Sequence, residues 1–256
     1  MKSFYDYKKS EWESQYLEYR ELDEEKDKAN LINDYIITIE DKETELIDKL
    51  NTLKKMLESG AIDDAELHRL SNKGFKTFSF DRHLYNPLIF KDKYHTALQI
   101  KPVELNDGEK DFVEDLSSYL KRNEEEYDNI EIYLLRNQSK TGIGLFTEGN
   151  FYPDFIMWIN SGNKQYITFI DPKGLVNLNT KDDPKINLSR KIKDIEKKIG
   201  DADVVLNSFI VSITPYGVIK WVQDTLEKHE LEDKNVLFQK DDRNSYVSMM
   251  FDKILL

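Results

Sequence analysis

The chain has 256 residues, a net charge of −12 and no cysteine. That length allows one large domain or two small ones, and the missing cysteines exclude disulfides, thiolate zinc sites and a cysteine nucleophile. With 39% hydrophobic residues, 14 Tyr and 13 Phe, the chain can build a sizeable core and is not of disordered composition.

The N-terminal stretch MKSFYDYKKSEWE lacks the apolar core of a signal peptide. No apolar run reaches the ~18 residues of a membrane span. The expectation is a soluble, cytoplasmic protein with no membrane partner. An acidic balance by itself argues against a nucleic-acid surface, but the acid is unevenly spread. From Lys173 to Lys198 there are eight basic residues against four acids, a local balance of +4. Such a stretch is either a patch that meets phosphate or a solvated helix face.

Residues 1–100 read as a mainly helical accessory or interaction region. DYIITIE predicts a short strand. Leu46, Leu50, Leu53 and Leu57 then fall at helical spacing after a possible Asp41 cap. FKTFSFDRHLYNPLIF suggests a further strand or extended arm. Residues 101–256 form the second region. Residues 108–122 predict an amphipathic helix with Phe112, Val113, Leu116 and Leu120 on one stripe. IEIYLLR, IGLF, YPDFIMWI and YITFIDPKG follow as strand-like runs. Asp183 and Pro184 predict the start of a helix carrying Leu188, Ile192, Ile195 and Ile199, which Gly200 stops. VVLNSFIVSI predicts a strand, Gly217 to His229 a helix, and NVLFQ a last strand. The order predicts an α/β layer fold with a mixed sheet.

Chemistry concentrates on one predicted hairpin. Ser161-Gly162-Asn163-Lys164 lies between two apolar runs, and Gly-Asn suits a two-residue turn. Counting back from that turn sets Asp154 opposite Asp171, on one sheet face with Cβ atoms ~5 Å apart. Strand alternation adds Lys173 to that face. Flanking residues are apolar on both faces, as in a buried central strand. Two facing carboxylates there repel each other, and a divalent cation with a preference for hard oxygen ligands relieves the repulsion. Pro172 holds Asp171 extended, lacks an amide hydrogen so that the ladder weakens and the strand end opens, and leaves its carbonyl as a further metal ligand. Glu109 falls on the inward face of the preceding helix. It is either an additional metal ligand or base, or a capping acid of the first turn.

Pro153-Asp154, 16 intervening residues and Asp171-Pro172-Lys173 resemble the motif of the PD-(D/E)xK nuclease superfamily. The stretch from LLRNQSKTGIGLFTEGN to QYITFIDPKG resembles the C-terminal nuclease region of bacterial type III restriction-like helicase–nuclease proteins. The resemblance covers roughly residues 100–256. It implies a restriction-endonuclease-like sheet flanked by helices, magnesium (or Mn²⁺) held by Asp154, Asp171, Pro172 and Glu109, and DNA cleavage in defence against foreign DNA. It further implies Gln138, Arg190 and Lys191 as substrate contacts. The chain lacks a Walker P-loop, so a separate helicase or ATPase subunit, or a homo-oligomer, is an expected partner. The competing reading is a non-catalytic nuclease-fold module that docks such a partner. Gly142-x-Gly144 is a lone fragment, no G-x-S-x-G elbow occurs, and His68, His83, His95 and His229 have no metal-ligand spacing.

Overall fold

A computed structural model describes residues 36–59, 70, 75–78, 88–92, 94, 96–101, 104–137, 151–176, 183–219 and 226–256. Gln138 and the IGLF run lie outside the described residues.

The first described part is richer in strands than expected. β1 (Ile36–Ile39) pairs antiparallel with β4 (Leu98–Lys101), and β2 (Phe75–Phe78) with β3 (Leu88–Lys91). Helix α1 (Thr44–Ser59) closes over them, burying Leu46 and Leu53 against Phe75, Ile89 and Leu98. The β-branched and aromatic residues of these short runs favour strands over helix.

Helix α2 (Asp107–Arg122) is the best-specified element. Its inward stripe of Phe112, Val113 and Leu116 is fully buried, each worth about 1.5–3 kcal/mol of burial. It starts on a capping box: Asn106 Oδ1 accepts from the Glu109 amide, and Glu109 Oε2 accepts from the Asn106 amide, both at 3.0 Å. A short helix, α3 (Glu124–Tyr127), follows.

The second part is built on a five-stranded mixed sheet, in the order β5-β6-β7-β8-β9. The strands are β5 (Glu131–Arg136), β6 (Phe155–Ser161), β7 (Lys164–Lys173), β8 (Val204–Ser212) and β9 (Val236–Phe238). The first three are mutually antiparallel, and β8 and β9 run parallel to β7. Helix α2 and the C-terminal helix α6 (Tyr246–Leu255) cover one face, around Phe155, Met157, Ile170 and Phe209. Helix α4 (Leu188–Ile199) covers the other, around Ile156, Trp158, Phe169 and Leu206. Helix α5 (Lys228–Asp233) leads into β9.

Three expectations need correction. Helix α4 begins at Leu188, not at Pro184. The Asp183 side chain instead accepts the Lys185 amide at 2.9 Å, a local turn that competes with helix. The helix placed at Gly217 to His229 is, among the described residues, a single 3₁₀ turn (Tyr216–Val218) and the short α5. Finally, β7 does not loosen at Pro172. It stays in register with β8 through Pro172–Val211 and Lys173–Ser212, and the Ile213 amide donates to the Lys173 carbonyl at 3.0 Å. Pro172 is itself buried. The opening is on the β6 side, where that strand begins only at Phe155.

Candidate active site

The hairpin register is the one the turn predicts. Ser161 pairs with Lys164 and Asn160 with Gln165, down to Phe155 with Ile170. Gly162 takes the left-handed φ of 60° that opens the turn. One step beyond the last pair stand Asp154 and Asp171. Asp171 is 5% exposed and accepts Lys173 Nζ on Oδ2 at 2.7 Å.

Asp154 is held from the other side by Arg136 at the end of β5. Arg136 Nη1 donates to the Asp154 carbonyl at 2.8 Å and stands 3.5 Å from Oδ1. Its Nη2 reaches Glu109 Oε1 at 3.0 Å. The guanidinium lies over the Phe155 ring, 5.2 Å from its centroid. Asn137 ties the same strand end, donating its amide to the Asp154 carbonyl at 2.8 Å and its side chain to the Pro153 carbonyl at 2.9 Å.

Proton affinities follow from this geometry. Burial, then the charge of Asp171, pushes the Asp154 carboxyl up to about 8, with Arg136 pulling the other way. Burial also raises Glu109, against the pull of Arg136 and the Asn106 amide. For Lys173, burial disfavours the ammonium, but the Asp171 carboxylate outweighs it and the net direction is up. Lys185 is pushed down, first by the charge of Lys173 and then by burial.

The structure therefore brings Asp154, Asp171 and Lys173 together at the open end of the hairpin. Glu109 stands next to them, but both of its oxygens are engaged, one by the cap and one by Arg136. Among the described residues no three His, Cys, Asp or Glu side chains group closely enough to hold a metal ion. The donor set that fits a divalent cation is the Asp154–Asp171 pair, two hard oxygen ligands with an ionisation cost that a cation removes. Arg190 and Lys191 lie in the first turn of α4. Arg190 lines a separate cavity at the edge of β8.

Two residues escape the sequence reading. Arg136 closes an apolar strand and holds both acids, yet 18 residues separate it from Asp154, so no turn rule sets its register. Gly108 admits a close approach: a Cβ there would stand 2.5 Å from Ile213 Cγ2. Gln239 Nε2 also donates to the Gly108 carbonyl at 3.0 Å, so the first turn of α2, with Glu109, is seated on the ends of β8 and β9.

Among the described residues no helix is long and apolar enough to cross a membrane. Compared with known protein families, curated proteins and solved structures, the chain matches none of them.

Proposed function

We propose that the chain is a metal-dependent nuclease of the PD-(D/E)xK kind, hydrolysing DNA phosphodiesters in defence against foreign DNA. The observation that carries this reading is the Asp154–Asp171 pair beside Lys173. Two carboxyl groups are kept adjacent, and burial with the neighbouring Asp171 charge pushes one of them up to about 8. A fold without need of that pair has no reason to hold it. The mixed five-stranded sheet, with α2 on one face and α4 on the other, is compatible with a restriction-endonuclease-like fold.

In this reading Asp154 and Asp171 hold Mg²⁺ or Mn²⁺, which stabilises charge on the phosphoryl oxygens when bound. Lys173 Nζ, anchored on Asp171, orients the attacking water and supplies positive charge near it. Arg136 keeps the Asp154 backbone and carboxylate in place and neutralises Glu109, so that the buried acids carry no uncompensated third charge.

The test is cleavage of supercoiled plasmid with Mg²⁺ or Mn²⁺. Wild type nicks DNA only with metal, and Asp171→Ala loses at least a hundredfold of the rate, on the order of the effect of removing one positioned electrostatic group. A second reading draws on the ion pairs themselves. Lys173 and Arg136 already neutralise acids here, as in a purely structural polar network of a docking module. Calorimetry separates the two, because the module binds no Mn²⁺ at this pair.

A further inference from the structure

A second polar site lies on the sheet face that carries Asp171. It is a cavity of about 460 Å³ between the start of α4, the free edge of β8 and the α5–β9 connection. This is within the size range of small-ligand pockets. Arg190, Lys193 and Lys234 contribute to its lining against one acid, Asp233, on a chain whose net charge is −12. Lys193 is bound to Glu196 at 2.8 Å. Among the described residues, Arg190 and Lys234 pair with no acid.

Two further observations point to a ligand. Ser208 lines the cavity on the face of β8 that α4 covers, is 2% exposed, and leaves its Oγ buried without a hydrogen-bond partner. Native folds rarely leave such atoms unmatched. In addition, Asn187, the N-cap of α4 and another lining residue, makes no side-chain cap on the first turn, although the Asn187 and Leu188 amides are met by the Asp183 and Lys185 carbonyls at 3.3 and 3.2 Å. A helix start without a side-chain cap, two cations paired with no acid and an unmatched buried hydroxyl together suit a tetrahedral anion.

We infer that this cavity is a phosphate-binding pocket, with Arg190 and Lys234 supplying charge and Asn187 and Ser208 supplying hydrogen bonds. Ser208 pairs with Phe169, and Ile210 with Asp171. The pocket thus sits two strand residues and one strand from Asp171, about 8 Å by sheet geometry. The phosphate is either a free one or one in a nucleic-acid backbone. Only the second source rests on the nuclease reading.

Two metal-free probes test the pocket, with EDTA present. The first is ³¹P line broadening of inorganic phosphate. The second is anisotropy of a labelled single-stranded oligonucleotide across a salt series. Wild type is compared with Arg190→Gln/Lys234→Gln and with Lys198→Gln, an exposed cation in the last turn of α4 outside the pocket. The pocket variant is expected to lose the phosphate broadening, or to weaken oligonucleotide binding about tenfold and lower the salt slope by about 0.7 for each backbone phosphate it no longer neutralises. Lys198→Gln should do neither. Loss confined to inorganic phosphate assigns a free phosphate, and loss confined to the oligonucleotide assigns a backbone phosphate. Equal effects of both variants, or no effect of the pocket variant on either probe, overturn the inference. Because no metal is present, the pocket survives a failure of Asp171-dependent cleavage, and that cleavage survives a failure of the pocket.

Discussion

Replacing Asp154 by Asn should make the protein more stable, and increasingly so as the pH rises. The folded carboxyl is pushed from an ordinary 3.8 to about 8, so the folded state holds its proton more tightly than the unfolded chain. A raised carboxyl destabilises the fold once pH passes the unfolded value, and the cost grows until pH passes the folded one. Each tenfold change in proton affinity is worth about 1.4 kcal/mol, which sets a ceiling of about 6 kcal/mol above pH 8. The side chain keeps 29% exposure, and solvent screening reduces this to about 3 kcal/mol. The opposing pull of Arg136 is already contained in the raised affinity. The gain at pH 8.5 is about 3 kcal/mol, or roughly 6–12 °C in melting temperature for a chain of this size. At pH 4 the gain should vanish. Thermal unfolding followed by circular dichroism at pH 4, 6 and 8.5 in EDTA measures it. Asp154→Asn melting at or below wild type at pH 8.5, or a gap that does not change with pH, would refute the reasoning. Mn²⁺ at a hundred times its dissociation constant should in turn stabilise wild type by about 2.7 kcal/mol and the variant far less.

Arg136→Met should destabilise by about 3–5 kcal/mol, since it strands a Glu109 side chain that is 4% exposed. Adding Glu109→Gln should recover much of that loss in a double-mutant cycle, and an additive pair would show that the two do not act together. Gly108→Ala should cost about 1–3 kcal/mol, as its methyl meets Ile213 Cγ2. If denaturant unfolding finds it neutral, α2 is not seated as tightly as the 2.5 Å approach implies. In the plasmid assay, Lys173→Gln should lower the rate at saturating metal without weakening Mn²⁺ binding, because its ammonium acts beside the water rather than as a ligand.

What can be read from the sequence follows the range of the interactions. The Gly162-Asn163 turn sets its own register, so the Asp154–Asp171 juxtaposition follows from counting alone. The stripe of α2 and the αL stop at Gly200 are equally local. The start of α4 is ambiguous in the sequence because Asp183 has two local outlets, a helix cap or the turn it takes. Helix α6 is not announced. Its Tyr246, Val247, Met250, Phe251 and Ile254 stripe has helical spacing after Ser245, but the run follows β9 closely and the Ser245 hydroxyl turns back to the Asp242 carbonyl instead of capping the helix. Arg136 and the α4 cavity depend on which strands become neighbours, and the long β5–β6 connection hides that.

The hydrogen bond between Gln239 and Gly108 spans 131 residues, and Tyr246 reaches Asp115 across the same separation at 2.9 Å. The β6–β7 hairpin is local and closes on a microsecond scale. The seat of the helix turn that carries Glu109 is completed by β9 and α6, through contacts of long sequence separation, which form slowly. The two aspartates are thus paired by a local hairpin and Arg136 reaches Asp154 and Glu109 across 18 and 27 residues, whereas the far side of the α2 turn is closed by contacts across 131.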